Sequence, residues 1–94
     1  MGFIVSKLDE TEPTSYIGWV SMNKMADEGC FDFSLKSKKL LLKMKEEDVI
    51  AIVEKKDIND MLSIIENMSY TSPSINKFIR WTKEQGKNGI IIRY

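Results

Sequence analysis

Ninety-four residues with 43% hydrophobic and 30% charged side chains carry enough apolar material for one small core and too much for a disordered chain. The absence of histidine and the single cysteine, Cys30, exclude a conventional catalytic triad, a His-ligated metal, a cysteine zinc cluster and an intrachain disulfide. Fourteen Lys and Arg balance fourteen Asp and Glu, but a partner meets local patches and not the zero sum.

In chain order, Phe3-Ile4-Val5 reads as a short strand, followed by an acidic, proline-closed connection over residues 9–13. Over residues 15–22, Tyr16, Gly18, Val20 and Met22 alternate with Ile17, Trp19 and Ser21, which predicts a strand with a turn of helix after it. A helix competes there, because Ile17, Ser21 and Met25 share one side and Gly29 suits its C′ position. Phe31, Phe33 and Leu35 then alternate with Asp32, Ser34 and Lys36, and Leu40, Leu42 and Met44 alternate with Leu41, Lys43 and Lys45. This pattern predicts a hairpin turning at Ser37-Lys38, with lysines at its tip and on its outer face.

Residues 49–53 are apolar on both faces and predict a central strand, with a short helix over 47–56 as the competitor. Asp57, followed by Asp60, predicts a helix N-cap before the stripe Ile58, Met61, Leu62, Ile65 and Met68. Ser72 caps a second helix with Pro73 at its first position, and Ile75, Phe78, Ile79 and Thr82 form its buried side. Gly86 ends that helix, and Asn88-Gly89 turns the chain into a last strand over 90–94. Strands grouped before helices indicate an α+β domain spanning 1–94. The expected form is an antiparallel or mixed sheet of about four to five strands, two C-terminal helices packed on one face, and a closing C-terminal strand.

The charges fall in blocks. Residues 1–35 hold two lysines against six acids, and residues 46–69 hold two lysines against seven. Between them Lys36, Lys38, Lys39, Lys43 and Lys45 meet no acid, and over 70–94 Lys77, Arg80, Lys83, Lys87 and Arg93 face Glu84 alone. The lysine hairpin could follow a phosphate backbone, with weak sequence preference because lysine lacks the guanidinium fork that reads a base. On the last helix Lys77 and Arg80 point away from the apolar stripe and Trp81 lies on the Lys77 flank. An aromatic ring beside cations can stack an unpaired base. Nucleic-acid-binding candidates are therefore Lys36, Lys38, Lys39, Lys43, Lys45, Lys77, Arg80, Trp81 and Lys87, with Trp19, Tyr16 and Tyr94 as further aromatics.

The apolar run at 49–53 leads into Glu54-Lys55-Lys56, with Asp32 and Glu46-Glu47-Asp48 upstream. This arrangement resembles the restriction-endonuclease-like superfamily, which implies an Asp on one strand and a Glu-x-Lys on the next, with carboxylates holding Mg²⁺ and lysine aiding the attacking water. If Asp32 is the first acid, the next predicted strand offers Lys43-Met44-Lys45 where that motif belongs. If Glu54 and Lys56 are the pair, the upstream acid falls in a turn.

The expected function is a non-catalytic interaction module without a cofactor or metal, binding single-stranded DNA or RNA. The alternative is a protein-binding regulator or inhibitor, of viral or mobile-element type, that docks through its charge patches or pairs as a homodimer. A degenerate or active metal nuclease comes third. No apolar run approaches the roughly 20 residues of a membrane span. No basic region precedes an apolar stretch at the start, and the lone cysteine fits a reducing compartment, so the expected location is the cytoplasm.

Overall fold

A computed structural model describes residues 2–10, 12–32 and 49–94. They form β1 (Gly2–Lys7), β2 (Thr14–Gly18), α1 (Trp19–Asp27), β3 (Val49–Glu54), α2 (Lys55–Glu66), α3 (Pro73–Glu84) and β4 (Gly89–Arg93). The four strands make an antiparallel sheet in the order β2-β1-β4-β3. The α+β class, the two C-terminal helices and the closing strand match the sequence reading.

Strand parity divides the sheet into two faces. Phe3, Val5, Ile17, Ala51, Val53, Ile90 and Ile92 project to one side, where they meet Met22 and Met25 of α1, Ile58, Met61, Leu62 and Ile65 of α2, and Ile75 and Phe78 of α3. All three helices thus cover the same face, and the core lies between them and the sheet. β4 is buried on both faces, which suits its place between β1 and β3. On the reverse face Ser6, Ile91 and Ile52 form a buried row, whereas Ile4 and Tyr16 in the neighbouring row are open.

Three local expectations are corrected. The strand predicted over 15–22 ends at Gly18, and the chain enters α1 at Trp19. From there Ser21, Met22 and Met25 reach the core at helical spacing. The helix closes with Gly29 at φ 84°, its N–H donating to Ala26 O at 3.0 Å while the Cys30 N–H donates to Met25 O at 3.2 Å. That paired closure satisfies the last carbonyls, and it outweighs the unfavourable acids Asp27 and Glu28 beside them. Second, α2 starts at Lys55, directly from β3, so Asp57 is inside the first turn and is not the cap. Its carboxylate there still complements the positive end of the helix dipole. Third, residues 49–53 form β3 at one end of the described strand order; the central places belong to β1 and β4. Phe31 and Asp32 lie in a turn after α1, and the rest of the predicted lysine hairpin lies outside the described residues.

The predicted start of α3 is present in detail. The Ile75 N–H donates to Ser72 Oγ at 3.1 Å, and Pro73 occupies the first turn, where its missing donor costs nothing. Ser72 Oγ also lies 2.7 Å from Ser21 Oγ of α1, and Ser74 Oγ accepts the Gly18 N–H of β2 at 2.9 Å. The first turn of α3 is therefore tied to the strand-to-helix junction at Gly18–Trp19, and it covers a backbone donor on the outer strand β2.

Candidate binding surfaces

Among the described residues the predicted cations do not form one stripe. Lys36, Lys38, Lys39, Lys43 and Lys45 lie outside the described residues. On α3, Ile75, Phe78 and Thr82 face the core and Arg80 projects into solvent between two flanks. Lys77 and Lys83 stand on opposite flanks, because six residues is far from a whole number of turns. Lys77 leans toward the β2 edge. Lys83 leans toward α2 and reaches Glu66 Oε1 at 2.8 Å, and Lys87 joins it on that side.

Trp81 is only partly exposed. Its ring packs on the core and beside Gly86, and its Nε1 is buried without a hydrogen-bond partner. A ring held in this way acts mainly as part of the core margin.

A different aromatic is open. On the reverse face of the sheet Tyr16 pairs with Ile4, and Ile4 pairs with Arg93, so the three side chains form a cross-strand row. Tyr16 is 48% exposed and Ile4 42%, and the Tyr16 ring leans over Gly2, where no side chain obstructs it. Lys77, Glu12 and Thr14 complete the walls of a shallow depression of about 450 Å³ around this row. Ser15 also lines it, although by parity its side chain turns to the opposite, helix-covered face with Val5 and Ile17. The sequence carried a partial signal: alternation in β2 requires one of Tyr16 and Ile17 to face out, and Ile17 is the one in the core.

Tyr16 belongs to a wider feature. The exposed large hydrophobics among the described residues are Ile4, Tyr16, Trp19, Val20, Ile50 and Tyr94. Ile4 and Tyr16 share a row with Arg93 and Val49, Ile50 and Tyr94 directly follow Val49 and Arg93, and Trp19 and Val20 follow Gly18, so all of them gather toward one end of the sheet. Phe3 anchors two of them: its ring stacks on Trp19 at 5.4 Å and meets Tyr94 edge-on at 5.4 Å, with Trp19 and Tyr94 perpendicular at 6.1 Å.

A third feature is the cleft between α2 and α3, with a volume of about 370 Å³. Lys55, Lys83 and Lys87 line it, together with Ile58, Leu62 and Thr82.

The nuclease-like motif takes another form. Glu54 is the cap residue of α2 with its carboxylate 3.7 Å from Lys56 Nζ, and Asp32 lies in the turn after α1, not on a strand. No group of three or more Asp, Glu, Cys or His side chains able to hold a metal occurs among the described residues. Cys30 is buried, and burial, reinforced by Glu28, pushes its thiol up to about 11, so it is a poor nucleophile at neutral pH. No helix among the described residues is long and apolar enough to cross a membrane.

No protein-family model matches the chain, and no curated protein and no solved structure matches it.

Proposed function

We propose that the protein is a non-catalytic interaction module that binds single-stranded DNA or RNA with weak sequence preference. The observation that carries this reading is the row Tyr16–Ile4–Arg93 on the open part of the sheet, with Lys77 beside it. An exposed ring on a rigid strand offers a stacking surface to any base, and the adjacent cations attract the phosphates on either side of it. Glu12 at the rim opposes these cations and disfavours a tightly held phosphate at that point.

The test is fluorescence anisotropy with labelled single-stranded DNA, single-stranded RNA and duplex, titrated with salt. The expected result is preference for single strands and a negative slope of log affinity against log salt. Tyr16→Ala should weaken binding about tenfold, the range for loss of one stacked base. Lys77→Gln should flatten the salt slope by about 0.7. Absence of binding to every nucleic acid, or unchanged binding by Tyr16→Ala, sinks the reading.

A second reading, a protein-binding regulator, is favoured by one observation. The exposed Trp19, Val20, Ile50 and Tyr94 gather at the same end of the sheet, and Trp and Tyr dominate the energetics of protein interfaces. Copurification of a protein partner that survives nuclease treatment, and that is lost on Trp19→Ser, would select it over the first.

A further inference from the structure

The cleft between α2 and α3 stands apart from the stacking surface, on the other flank of α3. Its interior is apolar where the buried Ile58 and Leu62 line it, and its mouth carries the exposed Lys55, Lys83 and Lys87. Among the described residues no carboxylate lines it. Lys83 is shared with Glu66, whereas Lys55 and Lys87 form no ion pair among the described residues. Three ammonium groups around one cleft repel each other and concentrate any anion that enters.

Thr82 gives the cleft a polar group without a partner. It is fully buried, it lines the cleft, and its Oγ1 has no hydrogen-bond partner. A threonine inside a helix has a ready acceptor in the carbonyl four residues back, which for Thr82 is that of Phe78. The hydroxyl does not take it. A buried donor left unpaired costs free energy, and a ligand oxygen would remove that cost.

We infer that this cleft binds a phosphomonoester with a short apolar or ring-shaped body. The phosphate sits among Lys55, Lys83 and Lys87 and accepts a hydrogen bond from Thr82 Oγ1, and the body rests on Ile58 and Leu62. A volume of about 370 Å³ exceeds the needs of a bare phosphate and falls within the range of small-ligand sites. Thr82 is fully buried, so its hydroxyl meets the phosphate only with a small local rearrangement of the cleft on binding.

The test uses the whole chain with phenyl phosphate and inorganic phosphate, read by amide chemical shifts and by calorimetry. Phenyl phosphate should shift the amides of Ile58, Leu62 and Thr82 and bind more tightly than inorganic phosphate. Thr82→Val, which keeps the shape and removes the donor, should weaken phenyl phosphate about tenfold, and Thr82→Ser should restore it. Lys55→Gln and Lys87→Gln should each weaken it about two- to fivefold. Thermal melts confirm that each variant is folded. Tyr16→Ala should leave phenyl phosphate binding unchanged, so this site and the stacking surface are tested separately. Comparison of a 5′-phosphorylated strand with the same strand bearing a 5′-hydroxyl identifies the source: competition by the phosphorylated strand alone assigns a nucleic-acid terminus, and competition by neither assigns a free metabolite. Absence of shifts in the three amides, or wild-type affinity in Thr82→Val and both lysine variants, overturns the proposal.

Discussion

The two ends of the sheet are built from the same four strands and present opposite surfaces. At the end holding Gly2, Gly18, Arg93 and Val49, six large hydrophobic side chains are 42–58% exposed. At the other end the strands finish in Lys7, Thr14 and Glu54, the Leu8 N–H donates to Gly89 O at 3.0 Å, and no large hydrophobic among the described residues is exposed. The closed end shows that this fold can bury its apolar residues well. The open end thus differs from the closed one in exposed apolar surface among the described residues, the contrast on which both proposed binding readings rest.

Substitutions can break or sharpen this contrast. The largest effect is expected in the core that both ends share. Phe78→Ala removes a fully buried ring that meets Phe31 edge-on at 6.5 Å and should cost about 3–5 kcal/mol in urea unfolding, enough to unfold much of a domain this size. Next comes the closed end. Gly89 has φ 116°, and a Cβ there would lie 2.8 Å from Leu8 Cδ2 and 3.0 Å from Val53 O. Gly89→Ala should cost about 1–3 kcal/mol by the same assay. Ser72→Ala loses the α3 cap and the bond to Ser21 and should cost about 1 kcal/mol.

At the open end, Val20→Ser and Tyr16→Ala should each change stability by no more than about 0.5 kcal/mol. A large loss of stability in either variant would make the open end structural and dissolve the contrast. The last prediction concerns pH. The folded Cys30 thiol titrates at about 11 against an ordinary value of 9.0, so the folded state holds its proton longer than the unfolded chain does. Stability is unaffected by this group below pH 9 and falls as pH rises from 9 toward 11. Cys30→Ser should flatten that decline in melts across the same range, and native Cys30 should resist thiol reagents until the chain unfolds.

The fold was legible where a local signal and a packing requirement agreed. Ser72-Pro73 carries its own cap and first-turn residue, and Ile75, Phe78 and Thr82 repeat on one side, so α3 could be read from sequence alone. Residues 15–22 were ambiguous because an alternating apolar pattern and a helical one overlap there. The deciding term was remote, the fit of Met22 and Met25 into the core beneath β1. Asp57 misled because an acid in the first turn is favourable whether or not it is the cap.

The binding surfaces were less legible. Lys77, Lys83 and Lys87 are neighbours in sequence but belong to two sides of α3. Of the candidate aromatics Tyr16 is open and Trp81 packs on the core, since burial of a rim aromatic depends on which element lies over it. The cleft could not be read at all, because Lys55 and Thr82 are brought together only by the pairing of two helices.

The position of β4 also bears on when the molecule can form. β1 pairs with β2 through a short connection, but its other neighbour is β4, and among the described strands β3 joins the sheet through β4. During synthesis, a nascent chain lacking Gly89–Arg93 lacks the strand that joins the β1–β2 hairpin to β3 among the described elements. The described sheet is therefore complete only once those five residues have cleared the exit tunnel, so this non-local pairing comes late in synthesis.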